Sequence, residues 1–241
     1  MLTKPDKITL TCLDGDMLVY RAAFSTQDDT EQACKDKVDD LVEYIIGETV
    51  VFPTDSNMKV FLTGATNFRK SIDPSYKQNR KDVPKPKWLG AAREHMIERW
   101  GAVVSEMAEA DDLIATEVAF HGDPETTVIA SLDKDLKTVN SWFFNFRDGT
   151  FEYTTEEAGL AFFYQQCLMG DPVDGVVGVY GIGPKKSKKF LEDCTTEQEL
   201  YDTCLKVYLD HNLLEADLIR NARMLHLQRY KGQIWQKPRR N

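Results

Sequence analysis

Short apolar runs alternate with longer amphipathic stretches over the first two-thirds of the chain. Ile8–Leu13, Lys59–Thr63, Ala102–Ser105 and Thr127–Ser131 have the length and composition of buried strands. Lys35–Phe52 carries apolar residues at Val38, Leu41, Val42, Ile45 and Ile46, spacings of three and four that predict a helix. Trp88–Trp100 and Ala110–His121 read as helices, the second ended by Gly122. Trp142–Tyr153 predicts a hairpin turning at Asp148-Gly149. Beyond Thr154 the pattern is helical: Thr155–Met169, Pro184–Leu191, Thr196–Asp210 and Glu215–Tyr230. Strands alternating with helices predict an α/β core with a mainly parallel sheet over residues 1–154, and a helical region over residues 155–241.

One stretch breaks the alternation. Gly64–Lys87 is polar, basic and proline-bearing with no apolar period, and it is too long for an ordinary connection. It predicts a functional loop or arch, spanning about residues 64–95. Charge distribution supports this reading although the net charge is −9. Thr66–Arg93 holds eight Lys/Arg and two acids, and Arg220–Asn241 holds seven Lys/Arg and none. The rest of the chain is strongly acidic, and a basic patch beside an acidic one suits a metal-assisted enzyme acting on a polyanion. Solvated surface charge accounts for either patch taken alone. No apolar run is long enough to span a membrane, and MLTKPDKITL lacks a signal-peptide core. Five scattered cysteines without a C-x-x-C, and four dispersed histidines, suit a reducing cytoplasm and argue against a zinc centre.

The acidic groups cluster at predicted element ends. Asp14 and Asp16, in "TCLDGDMLVY", follow the first strand. By themselves they fit an aspartyl-nucleophile phosphatase, a metal-dependent nuclease or a merely acidic turn. Glu109, Asp111 and Asp112 follow the Ala102–Ser105 strand, and Asp133 and Asp135 follow Thr127–Ser131. Asp171 and Asp174, in "MGDPVDG", follow a helix. In open α/β sheets functional groups collect at the carboxyl ends of strands, so three of these four groups are expected along one edge. Packed carboxylates repel one another unless a cation neutralises them, and an all-oxygen set selects Mg²⁺ or Mn²⁺. A pair of such ions serves phosphodiester hydrolysis. Each acidic group alone also fits a helix cap, as Asp111 and Asp112 would at a helix N-terminus.

Two basic stretches complete the pattern. In "GVYGIGPKKSKKFLED", Gly181 and Gly183 allow close backbone approach, Pro184 suits a first helical position, and Lys185, Lys186, Lys188 and Lys189 add phosphate-directed charge. In Asn67–Lys87, Arg69, Lys70, Lys77, Arg80 and Lys81 offer phosphate contacts, while Phe68 and Tyr76 offer rings for unpaired bases. A glycine-rich turn and a flexible basic loop are the plain alternatives.

Taken in order, "DGD", "YKQNR", "EADD", "SLDKD" and "MGDPVDGVVGVYGIGPKK" strongly resemble the 5′-nuclease superfamily of flap endonucleases and 5′→3′ exonucleases. The likeness is greatest to the bacteriophage-encoded 5′→3′ exonucleases and runs from about Ile8 to about Leu191. It implies a PIN-like core, a helical arch and a helix-three-turn-helix DNA-binding motif with its hairpin at about 171–191. By the resemblance, Asp14, Glu109, Asp111, Asp112, Asp133, Asp135, Asp171 and Asp174 hold two Mg²⁺ or Mn²⁺ ions. Arg69, Lys70, Tyr76, Lys77, Arg80, Gly181, Gly183, Lys185 and Lys186 contact DNA, with Lys77 and Arg80 at the scissile phosphate. A K⁺ ion at hairpin carbonyls near Val179 and Ile182 is also implied. The implied partners are DNA with 5′ ends or flaps, RNA–DNA hybrids and replication proteins, for a monomer in the cytoplasm. One position departs: Gly64 stands where the family places an aspartate after the second strand. Either Asp16 or a water takes that part, or the site is weakened. The alternatives are a non-catalytic, structure-specific DNA-binding protein, a phosphatase of the haloacid-dehalogenase kind, and a PIN-type ribonuclease.

Overall fold

A computed structural model describes residues 4–49 and 58–239 of the chain. In order, the elements are β1 (Leu10–Asp14), α1 (Gly15–Ser25), α2 (Glu31–Thr49), β2 (Met58–Leu62), α3 (Arg69–Ile72), α4 (Leu89–Trp100), β3 (Val103–Val104) and α5 (Ala110–His121). There follow β4 (Thr127–Ser131), β5 (Ser141–Asn145), β6 (Thr150–Thr154), α6 (Glu156–Met169), β7 (Gly170–Asp171), β8 (Val176–Val177), α7 (Pro184–Leu191), α8 (Glu197–Asp210) and α9 (Glu215–Leu225). The end of the first predicted helix, at Phe52, lies outside the described residues.

The chain divides into two compact units, one formed by the stretches up to Asn67, Pro84–Thr154 and Arg229–Lys231. Its sheet runs β3-β2-β1-β4-β5-β6, with neighbours parallel except β6, which returns antiparallel beside β5. Central β1 is buried along its whole length, between β2 and β4, which is why it reads as an unbroken apolar run. Leu13, Val60, Leu62, Val128, Ala130 and Phe144 share one core with Leu18, Val19 and Ala22 of α1, Val38, Val42 and Ile45 of α2, and Ala92 and Met96 of α4. The alternating residues Cys12, Phe61 and Ile129 are also buried, and α5 packs on β1, β2 and β4. The parallel arrangement brings the carboxyl ends of β1–β5 to one edge.

The sequence pattern missed α1, which starts immediately after β1, where no helix was read. Asp14 caps it by accepting the Met17 N–H at 3.1 Å. Gly15 is required there by contact: a Cβ would stand 2.7 Å from the Phe61 carbonyl oxygen.

The second unit comprises Phe68–Val83, Thr155–Gln228 and the stretch from Gly232 onward. Helices α6, α7, α8 and α9 surround a core of Phe163, Tyr164, Leu168, Ile182, Leu191 and Tyr208, which Trp235 joins from the tail. The basic stretch expected to arch from the α/β core over about 64–95 is placed differently: Phe68–Val83 packs inside this second unit. The reason is Arg69, which is 1% exposed. Its Nε donates to the Met224 carbonyl at 2.7 Å and an Nη to that of His226 at 3.1 Å. These bonds satisfy carbonyls at the end of α9, so that helix stops at Leu225, not at the predicted Tyr230. The contact of Arg69 with DNA phosphate, expected from composition, is therefore replaced by an internal role.

Candidate active site

The first unit's predicted acidic residues do lie at the carboxyl ends of its strands. Asp14 ends β1 and is 1% exposed. One of its oxygens accepts the Met17 N–H and the other the Ser131 hydroxyl at 2.5 Å. The Ser131 hydroxyl in turn accepts the Asp133 N–H at 2.9 Å, and Asp133 caps a short 3-10 turn by accepting the Asp135 N–H. Asp135 is half-buried and pairs with the Lys134 ammonium at 2.7 Å. A strand-terminal serine thus links the first acidic position to the third. The sequence signal was present in "ASLDKD", but a serine ending an apolar run reads as the last residue of a strand.

Glu109 and Asp112 open α5. The Asp112 carboxylate accepts the Glu109 N–H at 3.0 Å, and Asp111 is half-buried in the same turn. This arrangement has the helix-cap character anticipated for that group. The Thr63 hydroxyl, at the end of β2, accepts the Ala110 N–H at 2.9 Å. Asp16 is tied by an ion pair to Arg93 of α4 and accepts the Thr63 N–H at 2.8 Å, while Arg93 also donates to the Thr63 carbonyl. Asp16 thus joins α1, β2 and α4, a cross-link the sequence reading did not find because Arg93 lies in a different element.

Gly64 sits against β3. Its N–H donates to the Ser105 hydroxyl at 2.9 Å, and a Cβ on Gly64 would stand 2.0 Å from the Ser105 carbonyl oxygen. The backbone here has closed over the space that a side chain at this position needs. Asp16, the residue considered as a substitute, is occupied by Arg93.

Burial pushes the Asp14 carboxyl up to about 7, its bonds from Ser131 and Met17 oppose that rise, and the charges of Asp16 and Asp133 add to it. A buried carboxylate under this pressure, with further oxygen donors at the same sheet edge, has the chemistry of a hard-cation site. Among the described residues, no three His, Cys, Asp or Glu side chains stand grouped as metal ligands in their present rotamers. Several of the relevant oxygens are turned instead onto the capping N–H groups and the Ser131 hydroxyl described above. The donor chemistry of these carboxylates fits divalent ions.

In the second unit, Asp171 is buried and its carboxylate accepts the Val173 N–H at 2.8 Å. Asp174 binds three partners: the Tyr76 hydroxyl at 2.8 Å, the Arg80 guanidinium at 2.5 Å and the Lys77 ammonium at 3.4 Å. Tyr76 is 3% exposed and packs with Val176 and Met224, so the base-stacking role expected for its ring gives way to a core role. Phe68 is likewise buried, beneath the Arg69 guanidinium. Lys70 is exposed on α3. Gly181 lies in the exposed hairpin turn, and Gly183 caps α7 with Pro184 at its start. Lys185 and Lys186 are exposed, and the Lys186 ammonium donates to the Gly181 carbonyl at 2.9 Å. The Val179 carbonyl accepts the Ile182 N–H at 3.1 Å.

The fold, a mostly parallel α/β sheet followed by a helical region, is shared with solved structures. The T5 D15 protein co-crystallised with metal ions superposes with a TM-score of 0.70 at 19% identity, covering 90% of this chain and 89% of that one. The catalytic core of Rad2 in complex with DNA substrate gives 0.54 at 13% identity, over 96% of this chain and 83% of that one. Residues 9–157 match the family model described as the 5′-3′ exonuclease N-terminal resolvase-like domain, and the chain belongs to that family. The exonuclease of Escherichia phage T7 is 27% identical, covering 90% of this chain and 87% of that protein. The flap endonuclease Xni of Shewanella woodyi is 31% identical over 59% of this chain, and the match spans 62% of that protein's length.

Proposed function

We propose that the protein is a divalent-metal-dependent 5′→3′ exonuclease and flap endonuclease that hydrolyses phosphodiester bonds of DNA from 5′ ends. The observation that carries this reading is the line of carboxylates at the strand ends, with buried Asp14 among them, in a chain of this family. Bound as a pair, Mg²⁺ or Mn²⁺ ions would supply charge neutralisation and an activated water for an in-line displacement. Asp14, Glu109, Asp111, Asp112, Asp133 and Asp135 would hold them. Ser131 orients Asp14, and the α5 cap orients Glu109 and Asp112.

Lys77 and Arg80 are assigned to phosphate charge, where a fixed cation stabilises the charge that develops in the transition state. Both remain partly exposed, at 25% and 46% of their side chains. The N-terminus of α7 and Lys185 are assigned to the duplex backbone, which they would grip without reading sequence. A K⁺ ion at the hairpin carbonyls near Val179 and Ile182 belongs to the same proposal. RNA–DNA hybrids and replication proteins are further partners on this reading, and monomeric action in the cytoplasm is its setting. Among the described residues, no helix is long and apolar enough to cross a membrane.

The experiment is cleavage of duplex and flap DNA labelled at the 5′ end in one set and the 3′ end in another, with Mg²⁺ or Mn²⁺. Early release of short 5′-labelled products, with long 3′-labelled remainders, is expected. Binding without cleavage under every metal condition would favour the non-catalytic alternative, for which the closed backbone at Gly64 is the specific observation.

A further inference from the structure

Among the described residues, Lys77, Met107 and Asn212 have left-handed backbones without being glycine. Asparagine tolerates that region, and Lys77 belongs to the basic stretch already assigned to phosphate. Met107, at φ +56°, carries a long apolar side chain into a conformation that a β-carbon disfavours. It is also 57% exposed, so its side chain gains little from packing.

The turn that holds it is fixed from both flanks. The Met107 N–H donates to the Thr66 hydroxyl at 3.0 Å, and the Ser105 hydroxyl donates to the Ala108 carbonyl at 2.7 Å. The same Ser105 hydroxyl accepts the Gly64 N–H, and the Ser105 N–H donates to the Leu62 carbonyl at 2.8 Å. Ser105 and Ala108 are buried, whereas Glu106 and Met107 between them are exposed. The turn therefore directs two side chains outward, immediately before Glu109. A glycine would adopt this backbone freely. A methionine here costs stability twice, through its dihedral angles and through apolar surface left in water. Contact of the exposed side chain with a ligand offsets both.

The chemistry around the turn says which part of a ligand that is. Glu106, Glu109 and Asp111 are its charged neighbours in sequence, and a phosphate beside them is repelled unless a cation intervenes. An uncharged thioether offers a phosphate no donor. It packs well against a flat ring, with its polarisable sulfur close to the π system. In a nucleic acid that surface is the face of a base, which is open only where the strand is unpaired. Three rotatable bonds let the side chain adapt to any of the bases, so the contact carries no sequence preference.

We propose that Met107 is a substrate-contacting residue, packing against the face of an unpaired nucleobase in the strand to be cut, beside the end of the site that Glu109 marks. This inference rests on the nuclease reading above, and it adds a contact for the base to those assigned to phosphate.

The test uses the full chain and measures binding, in EDTA, of two flap DNAs that differ only in the unpaired 5′ arm, which is abasic in one of them. Wild type is expected to bind the base-bearing flap about fivefold more tightly. Met107→Gly, which suits the left-handed backbone, is expected to keep or exceed the wild-type melting temperature and to bind the two flaps within about twofold of each other. Met107→Leu is expected to retain the preference, because it keeps the apolar bulk. Wild type that does not distinguish the flaps, or Met107→Gly that distinguishes them as wild type does, overturns the proposal. So does Met107→Leu losing the preference as completely as the glycine variant. Met107→Gly that melts lower and loses both flaps equally makes Met107 a structural residue and overturns it too. Wild type that binds neither flap sinks the nuclease reading and this proposal with it. Wild type that binds both flaps and cleaves them in Mg²⁺, with discrimination unchanged in Met107→Gly, sinks the proposal alone.

Discussion

At the scale of single residues, Asp14 and Gly64 determine what the candidate site can be. The Asp14 carboxyl titrates from the ordinary value of 3.8 when unfolded to about 7 when folded, chiefly through burial. A raised folded value contributes stability that is complete below 3.8 and lost as the pH rises through about 7. The metal-free protein is therefore expected to melt at a lower temperature at about pH 8 than at about pH 5.5, with Mg²⁺ or Mn²⁺ raising the melting temperature more at the higher pH. Asp14→Asn should flatten both differences while keeping the cap of α1. Differential scanning calorimetry at the two pH values checks this, and equal metal shifts would contradict it. Gly64 makes the opposite point. Restoring the aspartate the family would place there is expected to cost about 2 kcal/mol, because the new Cβ meets the Ser105 carbonyl. A Gly64→Asp variant that melts at or above the wild-type temperature and cleaves faster would show that the backbone opens readily. Asp14 was legible in the sequence because it ends an apolar run. Ser131 and Arg93 were not, because their importance depends on which distant carboxylate they meet.

At the scale of elements, periodicity located most strands and helices because burial imposes it: α5, β4 and α7 fall on their predicted bounds. Where the reading failed, a tertiary contact decided the outcome. Helix α1 was hidden by an acidic Asp-Gly-Asp that reads as a turn, although Asp14 acts as its cap and Gly15 as its point of contact with β2. Helix α9 ends early because Arg69, more than 150 residues earlier in sequence, takes its terminal carbonyls. Arg69→Ala is expected to destabilise the fold by about 2–4 kcal/mol, since two carbonyls lose a charged donor. Arg69→Lys should recover little of that, because an ammonium cannot replace the two-pronged guanidinium contact. Chemical denaturation gives the stabilities. A wild-type denaturation midpoint for Arg69→Ala, accompanied by a weaker salt dependence of DNA binding, would return Arg69 to the DNA-contacting set.

At the scale of the whole molecule, a chain with net charge −9 concentrates half of its lysines and arginines in two stretches and buries Asp14 at a sheet edge. The α/β class and the order of its acidic groups were legible because both follow from element alternation. The placement of Phe68–Val83 in the helical unit was not, since its composition is the same whether the basic residues face solvent or, like Arg69, the interior. The central claim is that the strand-end carboxylates serve metal-dependent hydrolysis of DNA from its 5′ end. Asp135 is the residue of choice for testing it, being half-buried, beside the buried Asp14–Ser131–Asp133 chain and paired with Lys134. The decisive measurement is single-turnover cleavage of 5′-labelled flap DNA in Mg²⁺ by wild type and by Asp135→Ala, with DNA binding followed in parallel. The account predicts Mg²⁺-dependent cleavage by wild type and a loss of at least about a hundredfold in the variant, with binding in EDTA preserved. Undiminished cleavage by Asp135→Ala, or no cleavage by wild type, would contradict it.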